Sequence, residues 1–198
     1  GGGLYRSFDG GDTWQKLAGG LPEGTIGRIG VDISRTHQHI VYAVVEHKQQ
    51  GGIYRSEDGG TTWTKQNSLN QRPSYYSQIR VDPQNPNKLW KLASPLFVSI
   101  DAGKTWQSDT TGDRIHVDHH GLWINPDDSD HLILGNDGGL YVSYDGSRTW
   151  DFIDNLPIGQ YYDITVDGRD PYWIYGGTQD NGTWGLPART YSQLGITN

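Results

Sequence analysis

Four copies of one short pattern recur along the chain: SFDGGDTW (residues 7–14), SEDGGTTW (56–63), SIDAGKTW (99–106) and SYDGSRTW (143–150). Each reads Ser-x-Asp-x-(Gly/Ser)-x-Thr-Trp, and successive copies are about 43–49 residues apart. A period of that length marks a repeat architecture, one supersecondary unit stacked several times. This constrains the fold more than any bulk property does.

The segments between the boxes align as well. IGVDISRTHQHIVYAVVE (29–46), IRVDPQNPNKLWKLAS (79–94), LWINPDDSDHLILGND (122–137) and ITVDGRDPYWIYGGTQD (164–180) each hold an alternating strand, a polar turn and a second β-rich strand. A short loop, a third strand such as GGIYRS or GGLYVS, the box and a fourth strand complete the unit. Four short antiparallel strands, A to D, make one blade of a β-propeller, with the box as the C–D hairpin turn. The composition agrees: only 33% of residues are hydrophobic, yet 8 Trp and 12 Tyr supply buried area, and 28 Gly and 9 Pro supply turns.

The expected organisation is all-β: a partial first blade over 1–20, full blades over about 26–67, 75–108 and 115–154, and a partial last blade over about 160–198. The sequence starts inside a repeat, so it reads as a segment of a larger propeller, with further blades in the same or another chain. Residues from Thr183 onward fit the repeat poorly.

Within a box, Ser and Asp are suited to hydrogen-bond the turn backbone, and Gly supplies positive φ. The structural set is Ser7, Asp9 and Trp14; Ser56, Asp58 and Trp63; Ser99, Asp101 and Trp106; Ser143, Asp145 and Trp150. Each Trp is expected to pack beside the following blade.

Several function classes drop out. Net charge is −7 with no basic run, which argues against a nucleic-acid partner. No apolar stretch is long enough to span a membrane as a helix. Cys is absent, so there is no disulfide framework. There is no Gly-x-Ser-x-Gly nucleophile elbow and no phosphate-binding glycine loop, and no cofactor is implied.

In a propeller, the D–A and B–C connections share one face, and the boxes and A–B turns share the other. The unusual residues fall on the first face. The B–C loops carry Glu46, His47, Asn136, Asp137, Gln179, Asp180 and Asn181; the D–A connections and strand starts carry Arg28, Tyr75, Tyr76, His116, Asp118, His119, His120, Tyr161 and Tyr162. Acids, amides and aromatic rings around a channel mouth suit sugars, and they suit a peptide equally. In IHVDHH, an extended strand would point His116, Asp118 and His120 one way, either as metal ligands or as a hydrogen-bonded brace. Asn181-Gly182-Thr183 fits the N-glycosylation pattern.

The boxes are those of the Asp-box, or bacterial neuraminidase, repeat. The segments HVDHHGLWINPDDSDHLILGNDGGLYVSYDGSRTWDF and YYSQIRVDP resemble bacterial sortilin-like and xyloglucanase-like proteins. NDGGLY, around Asp137, is similar to the Thr-Asp-x-Gly-Gly-x-Tyr setting of a catalytic aspartate in xyloglucanase-type enzymes. Asp180 occupies the equivalent loop of the next blade and offers a second carboxylate, since glycoside hydrolysis needs two. The resemblance thus implies a polysaccharide or glycan ligand and paired-carboxylate hydrolysis, in a secreted, periplasmic or cell-surface protein. The sortilin side implies instead a non-catalytic scaffold for a protein or peptide. A sialidase would need an arginine triad, and Arg28, Arg80, Arg114 and Arg148 are scattered.

Overall fold

The computed structural model describes residues 2–108, 115–156 and 159–190; Arg114 and the end of the last expected blade, 191–198, lie outside them. The described residues contain strands and turns but no helix, and hence none long and apolar enough to cross a membrane. The fold is that of an all-β propeller built from antiparallel blades. The chain divides into two compact units, Gly1–Phe152 and Ile153–Asn198.

In the first unit, β1 (Leu4–Arg6) pairs with β2 (Gln15–Leu17). Three four-stranded blades follow. The second blade orders β3 (Ile29–Ile33), β4 (Val41–Val45), β5 (Gly52–Ser56) and β6 (Thr64–Asn67). The third orders β7 (Ile79–Val81), β8 (Leu89–Lys91), β9 (Phe97–Ser99) and β10 (Gln107–Ser108). The fourth orders β11 (His119–Ile124), β12 (Leu132–Asn136), β13 (Gly139–Ser143) and β14 (Asp151–Ile153), whose last residue crosses the unit boundary. In the second unit β15 (Tyr161–Val166), β16 (Trp173–Thr178) and β17 (Thr183–Pro187) form a three-stranded sheet. Thr183 therefore opens a regular third strand, despite its poor match to the repeat.

The boxes share one hydrogen-bond plan. In the second copy, Ser56 Oγ donates to Asp58 Oδ1 (2.8 Å), and the same Oγ accepts Gly60 N–H (2.8 Å). Asp58 then accepts Thr62 N–H (2.8 Å) on Oδ1 and the Thr62 hydroxyl (2.6 Å) on Oδ2. Trp63 Nε1 closes the turn onto Gly60 O (2.8 Å). The fourth box has Ser147 where the others have Gly, at φ 77°, and its Oγ accepts the buried Trp90 indole N–H at 3.1 Å. A left-handed serine is tolerated there because its hydroxyl satisfies a donor from the neighbouring blade.

In the three four-stranded blades the A–B turn accepts a box amide: Gly59 N–H to His39 O, Ala102 N–H to Asn87 O and Gly146 N–H to Asp130 O. Boxes and A–B turns therefore occupy one face of each blade, which leaves the B–C loops and inter-blade connections at the other.

The core lies in the seams between blades. Leu4, Leu17 and Leu21 meet Val41, Val45, Tyr54 and Trp63 in the first seam. Ile40, Tyr42, Val44 and Ile53 meet Ile79, Val81, Leu89 and Trp106 in the second. Trp90, Leu92 and Leu96 meet Leu122, Leu132, Leu134 and Trp150 in the third. The box tryptophans thus pack against the preceding blade, which corrects the expectation of the following one. The indole bond to a carbonyl three residues back folds the ring under its own turn, on the side facing the earlier blade. Trp14 has no earlier blade in this unit and is 62% exposed, against 5% for Trp63. Strand A of the second blade approaches the third so closely that a Cβ on Gly30 would collide with the Ser77 carbonyl oxygen.

Candidate functional site

On the face opposite the boxes, one group of chemically active side chains collects between the third and fourth blades. It begins in the connection between β6 and β7. Arg72, at φ 38°, accepts Tyr75 N–H (2.8 Å) and Tyr76 N–H (2.9 Å) on its carbonyl, and this tight turn presents both tyrosines. Tyr76 is buried against Ala93 and Phe97, while Tyr75 stays 44% exposed. The Arg72 guanidinium lies over both rings, 4.7 Å from the Tyr75 centroid and 5.4 Å from that of Tyr76. Arg28 reaches across from the second blade to the Ser74 carbonyl at 3.0 Å.

The fourth blade supplies the other half. His120 stacks on Tyr76 (centroids 5.9 Å, 27°) and meets Tyr75 edge-on (5.1 Å, 85°). The Tyr76 hydroxyl donates to Asp118 Oδ1. Asp137 occupies the two-residue turn between β12 and β13, with Oδ1 3.8 Å from His120 Nε2. The carboxylates of Asp118 and Asp137 come within 4.8 Å of each other. Tyr75, Tyr76, Asp118, His120 and Asp137 therefore form one half-open ledge: ring faces on one side, two carboxylates on the other, and an imidazole between.

Two neighbours brace it. Asn136 donates from Nδ2 to His116 O (2.8 Å) and accepts Gly138 N–H on Oδ1 (2.9 Å), so its carboxamide shapes the Asp137 turn. His119 is buried, and its N–H reaches Ala93 O (3.1 Å), joining the fourth blade to the third.

The alternation expected for His116, Asp118 and His120 does not hold. β11 begins only at His119, Asp118 lies at φ 65°, and a bulge shifts the register between His119 and Gly121. A left-handed residue reverses the chain locally, so the three side chains do not share one strand face. His116 turns its Nδ1 to Val117 O (3.1 Å).

Glu46 and His47 lie elsewhere on the same unit, at an open pocket of about 690 Å³ lined also by Lys48, Lys65 and Asn70. Glu46 Oε2 accepts Arg28 N–H (2.8 Å). His47 accepts Gln49 and Gln50 N–H on Nδ1, and its Nε2 donates to Glu23 O, a pattern that sets the Nε2–H tautomer. In the second unit, Tyr161 and Tyr162 are exposed on β15, and Gln179, Asp180 and Asn181 build the β16–β17 turn. Gln179 N–H reaches Gln160 O (2.8 Å), its Nε2 reaches Asp180 Oδ2 (2.5 Å), and Asn181 Nδ2 reaches Gln179 O (2.8 Å).

The carboxylates that the fold holds lowest are structural. Hydrogen bonds from Thr62, then from Ser56, keep Asp58 down at about 2, and Thr105 does the same for Asp101. Arg72 is the ledge residue that sequence reasoning missed; its signal is the RPSYY turn, where a cation precedes two rings.

The model of the Sortilin-Vps10 family (sortilin, neurotensin receptor 3) matches residues 51–179. The chain belongs to the Sortilin-Vps10 family. That span includes three of the four boxes and the whole ledge. The oligoxyloglucan-reducing end-specific xyloglucanase of Emericella nidulans is 28% identical over 120 residues, 53% of this chain and 14% of that enzyme. Among solved structures, the GH74 xyloglucanase of Xanthomonas campestris superposes with a TM-score of 0.58 at 18% identity, over 94% of this chain and 33% of that one. An ancestral GH74 enzyme gives 0.55 at 16% identity, over 93% and 28%. At such identities these superpositions establish the propeller fold. This Sortilin-Vps10 chain spans about a third or less of each relative.

Proposed function

We propose that this chain recognises a glycan on the Tyr75–His120 ledge and takes part in cleaving a glycosidic bond there. The observation that carries the reading is the pairing of an exposed ring face with the Asp118 and Asp137 carboxylates, within 4.8 Å of each other. Apolar sugar faces stack on rings such as Tyr75, and carboxylates take hydroxyls. Hydrolysis requires one carboxyl to protonate the leaving oxygen while a second attacks or activates water. Asp137 and Asp118 are the pair within the first unit, and Asp180 remains the candidate carboxylate of the second. The similarity to xyloglucanases supports a plant-type polysaccharide as substrate and a location outside the cytoplasm. Further blades would complete the channel mouth.

Reducing-sugar release from a polysaccharide panel that includes xyloglucan tests this. Wild type is compared with Asp118→Asn, Asp137→Asn and Asp180→Asn, each checked for folding by circular dichroism. Release that is lost in the first two variants supports the reading. A folded wild type that neither releases sugar nor binds any member of the panel refutes it.

A second reading has its own support. Arg72 and Arg28 flank Tyr75, and cations beside a ring suit a peptide carboxylate, in a family that takes in sortilin and neurotensin receptor 3. Peptide-array binding that depends on Arg72 and is indifferent to Asp137→Asn would favour that scaffold.

A further inference from the structure

Six Asp or Asn residues among the described residues precede glycine: Asp9, Asp58, Asp137, Asp145, Asp167 and Asn181. Such a step is chemically exposed, because a glycine nitrogen with no Cβ beside it can reach the side-chain carbonyl carbon of the residue before. The fold treats the six differently.

Five of the side chains are carboxylates, and a carboxylate anion is a poor electrophile. Asp9, Asp58 and Asp145 are each held as the anion by a box Thr hydroxyl at 2.6 Å. Two of the attacking nitrogens are tied as well: Gly59 N–H points to His39 O, and Gly146 N–H points to Asp130 O. Gly138 N–H, beside Asp137, is donated to Asn136 Oδ1 at 2.9 Å. Asp167 accepts Trp173 N–H at 2.9 Å and the Tyr175 hydroxyl at 3.0 Å.

Asn181 is the exception. Its side chain is a neutral amide, and ammonia is a competent leaving group. The residue is exposed in the β16–β17 turn, and Gly182 stands at φ 77°. Trp184 Nε1–H donates to Asn181 O at 3.0 Å. That carbonyl belongs to the same peptide unit as the Gly182 nitrogen. A donor on the oxygen draws charge from the nitrogen and stabilises the amidate formed when its proton leaves.

We infer that Asn181 is a site of spontaneous deamidation, activated by the indole of Trp184. Gly182 N loses its proton to hydroxide and attacks Asn181 Cγ, forming a new C–N bond. The Cγ–Nδ2 bond breaks, and ammonia leaves with a proton taken from water. Water then opens the cyclic imide at either carbonyl, giving aspartate or isoaspartate at position 181. The product places a second negative charge beside Asp180 and removes the amide donor that Asn181 offers to Gln179 O. This inference does not depend on the proposed glycan reading.

The purified chain is incubated in mildly alkaline buffer and followed by peptide mapping, with isoaspartate scored by its enzymatic methylation. The expected result is a gain of about one mass unit confined to the peptide containing Asn181. Conversion should slow by about tenfold in Gly182→Ala, which shields the nitrogen with a Cβ, and by about threefold in Trp184→Phe. Circular dichroism verifies that both variants are folded. Conversion at another asparagine first, or equal rates in wild type and a folded Trp184→Phe, would overturn the inference.

Discussion

Asp118 and Asp137 carry carboxylate oxygens within 4.8 Å of each other, one at the left-handed entry to β11 and the other at the tip of the β12–β13 turn. Retaining glycosidases hold their carboxyls roughly 5–5.5 Å apart and inverting ones roughly 6.5–9.5 Å, with a water between them. Under the proposed hydrolysis, a pair whose nearest oxygens lie within 4.8 Å of each other would use the covalent, retaining route. On that proposal, substitution of either by Asn should lower turnover by about a thousandfold or more while leaving the melting temperature within a few degrees. Proton NMR of the first product distinguishes the routes. An inverted product would remove Asp118 from the pair and assign the second carboxylate to another loop.

Trp63 and Trp14 occupy the same box position in different surroundings, so they separate packing from turn closure. Both indoles close their turns, onto Gly60 O at 2.8 Å and Gly11 O at 2.9 Å. Only Trp63 is buried, against Leu4, Leu17 and Tyr54. Trp63→Ala should cost about 3–5 kcal/mol, the usual range for a large core aromatic. Trp14→Ala should cost about 1 kcal/mol or less. Urea midpoints of the two variants check the difference, and equal losses would mean that the turn bond, rather than the seam, holds the blades.

The boxes were legible in the sequence because their hydrogen bonds are local: Ser56, Asp58, Thr62 and Trp63 satisfy one another within eight residues. Which neighbour Trp63 packs against was not legible, since a repeat presents similar apolar strands on both sides. The ledge was legible as a list of residues but not as a geometry. It joins the connection at Arg72–Tyr76 to a strand start whose positive φ at Asp118 breaks the alternation on which the histidine reading relied. Lys91 was hidden for another reason. It sits in the run LWKLA, where no polar face warns that one strand residue is both charged and fully enclosed.

Lys91 is fully buried on β8, and its Nζ has no hydrogen-bond partner among the described residues. Burial pushes its pKa down from 10.5 to about 8. The unfolded chain therefore binds more protons than the folded one between about pH 8 and 10.5, so stability should rise with pH across that window. Below about pH 8 the full cost of the buried cation applies, on the order of 3 kcal/mol for such a shift. Lys91→Met keeps the stem and removes the charge. It should stabilise the fold at neutral pH by up to about that amount and flatten the alkaline rise, as read from urea unfolding at several pH values. A variant no more stable than wild type at neutral pH would mean that Nζ finds water or a partner.

The boxes predict the opposite behaviour in acid. Hydrogen bonds from Thr and Ser hold Asp58 and Asp101 at about 2, below the ordinary 3.8, and Asp9 lower still. A depressed carboxyl contributes its full stabilisation above the unfolded value and loses it as pH falls through the folded one. Stability should therefore be flat down to about pH 4 and fall between there and pH 2, as several boxes protonate together. Asp58→Asn keeps the shape but gives Thr62 a single amide oxygen in place of two carboxylate oxygens. It should lower stability at neutral pH and make the acid limb shallower, because one titrating box is gone. Thermal melts from pH 2 to pH 7 measure both effects. An acid limb as steep in Asp58→Asn as in wild type would shift the cause of acid unfolding from the boxes to other carboxylates.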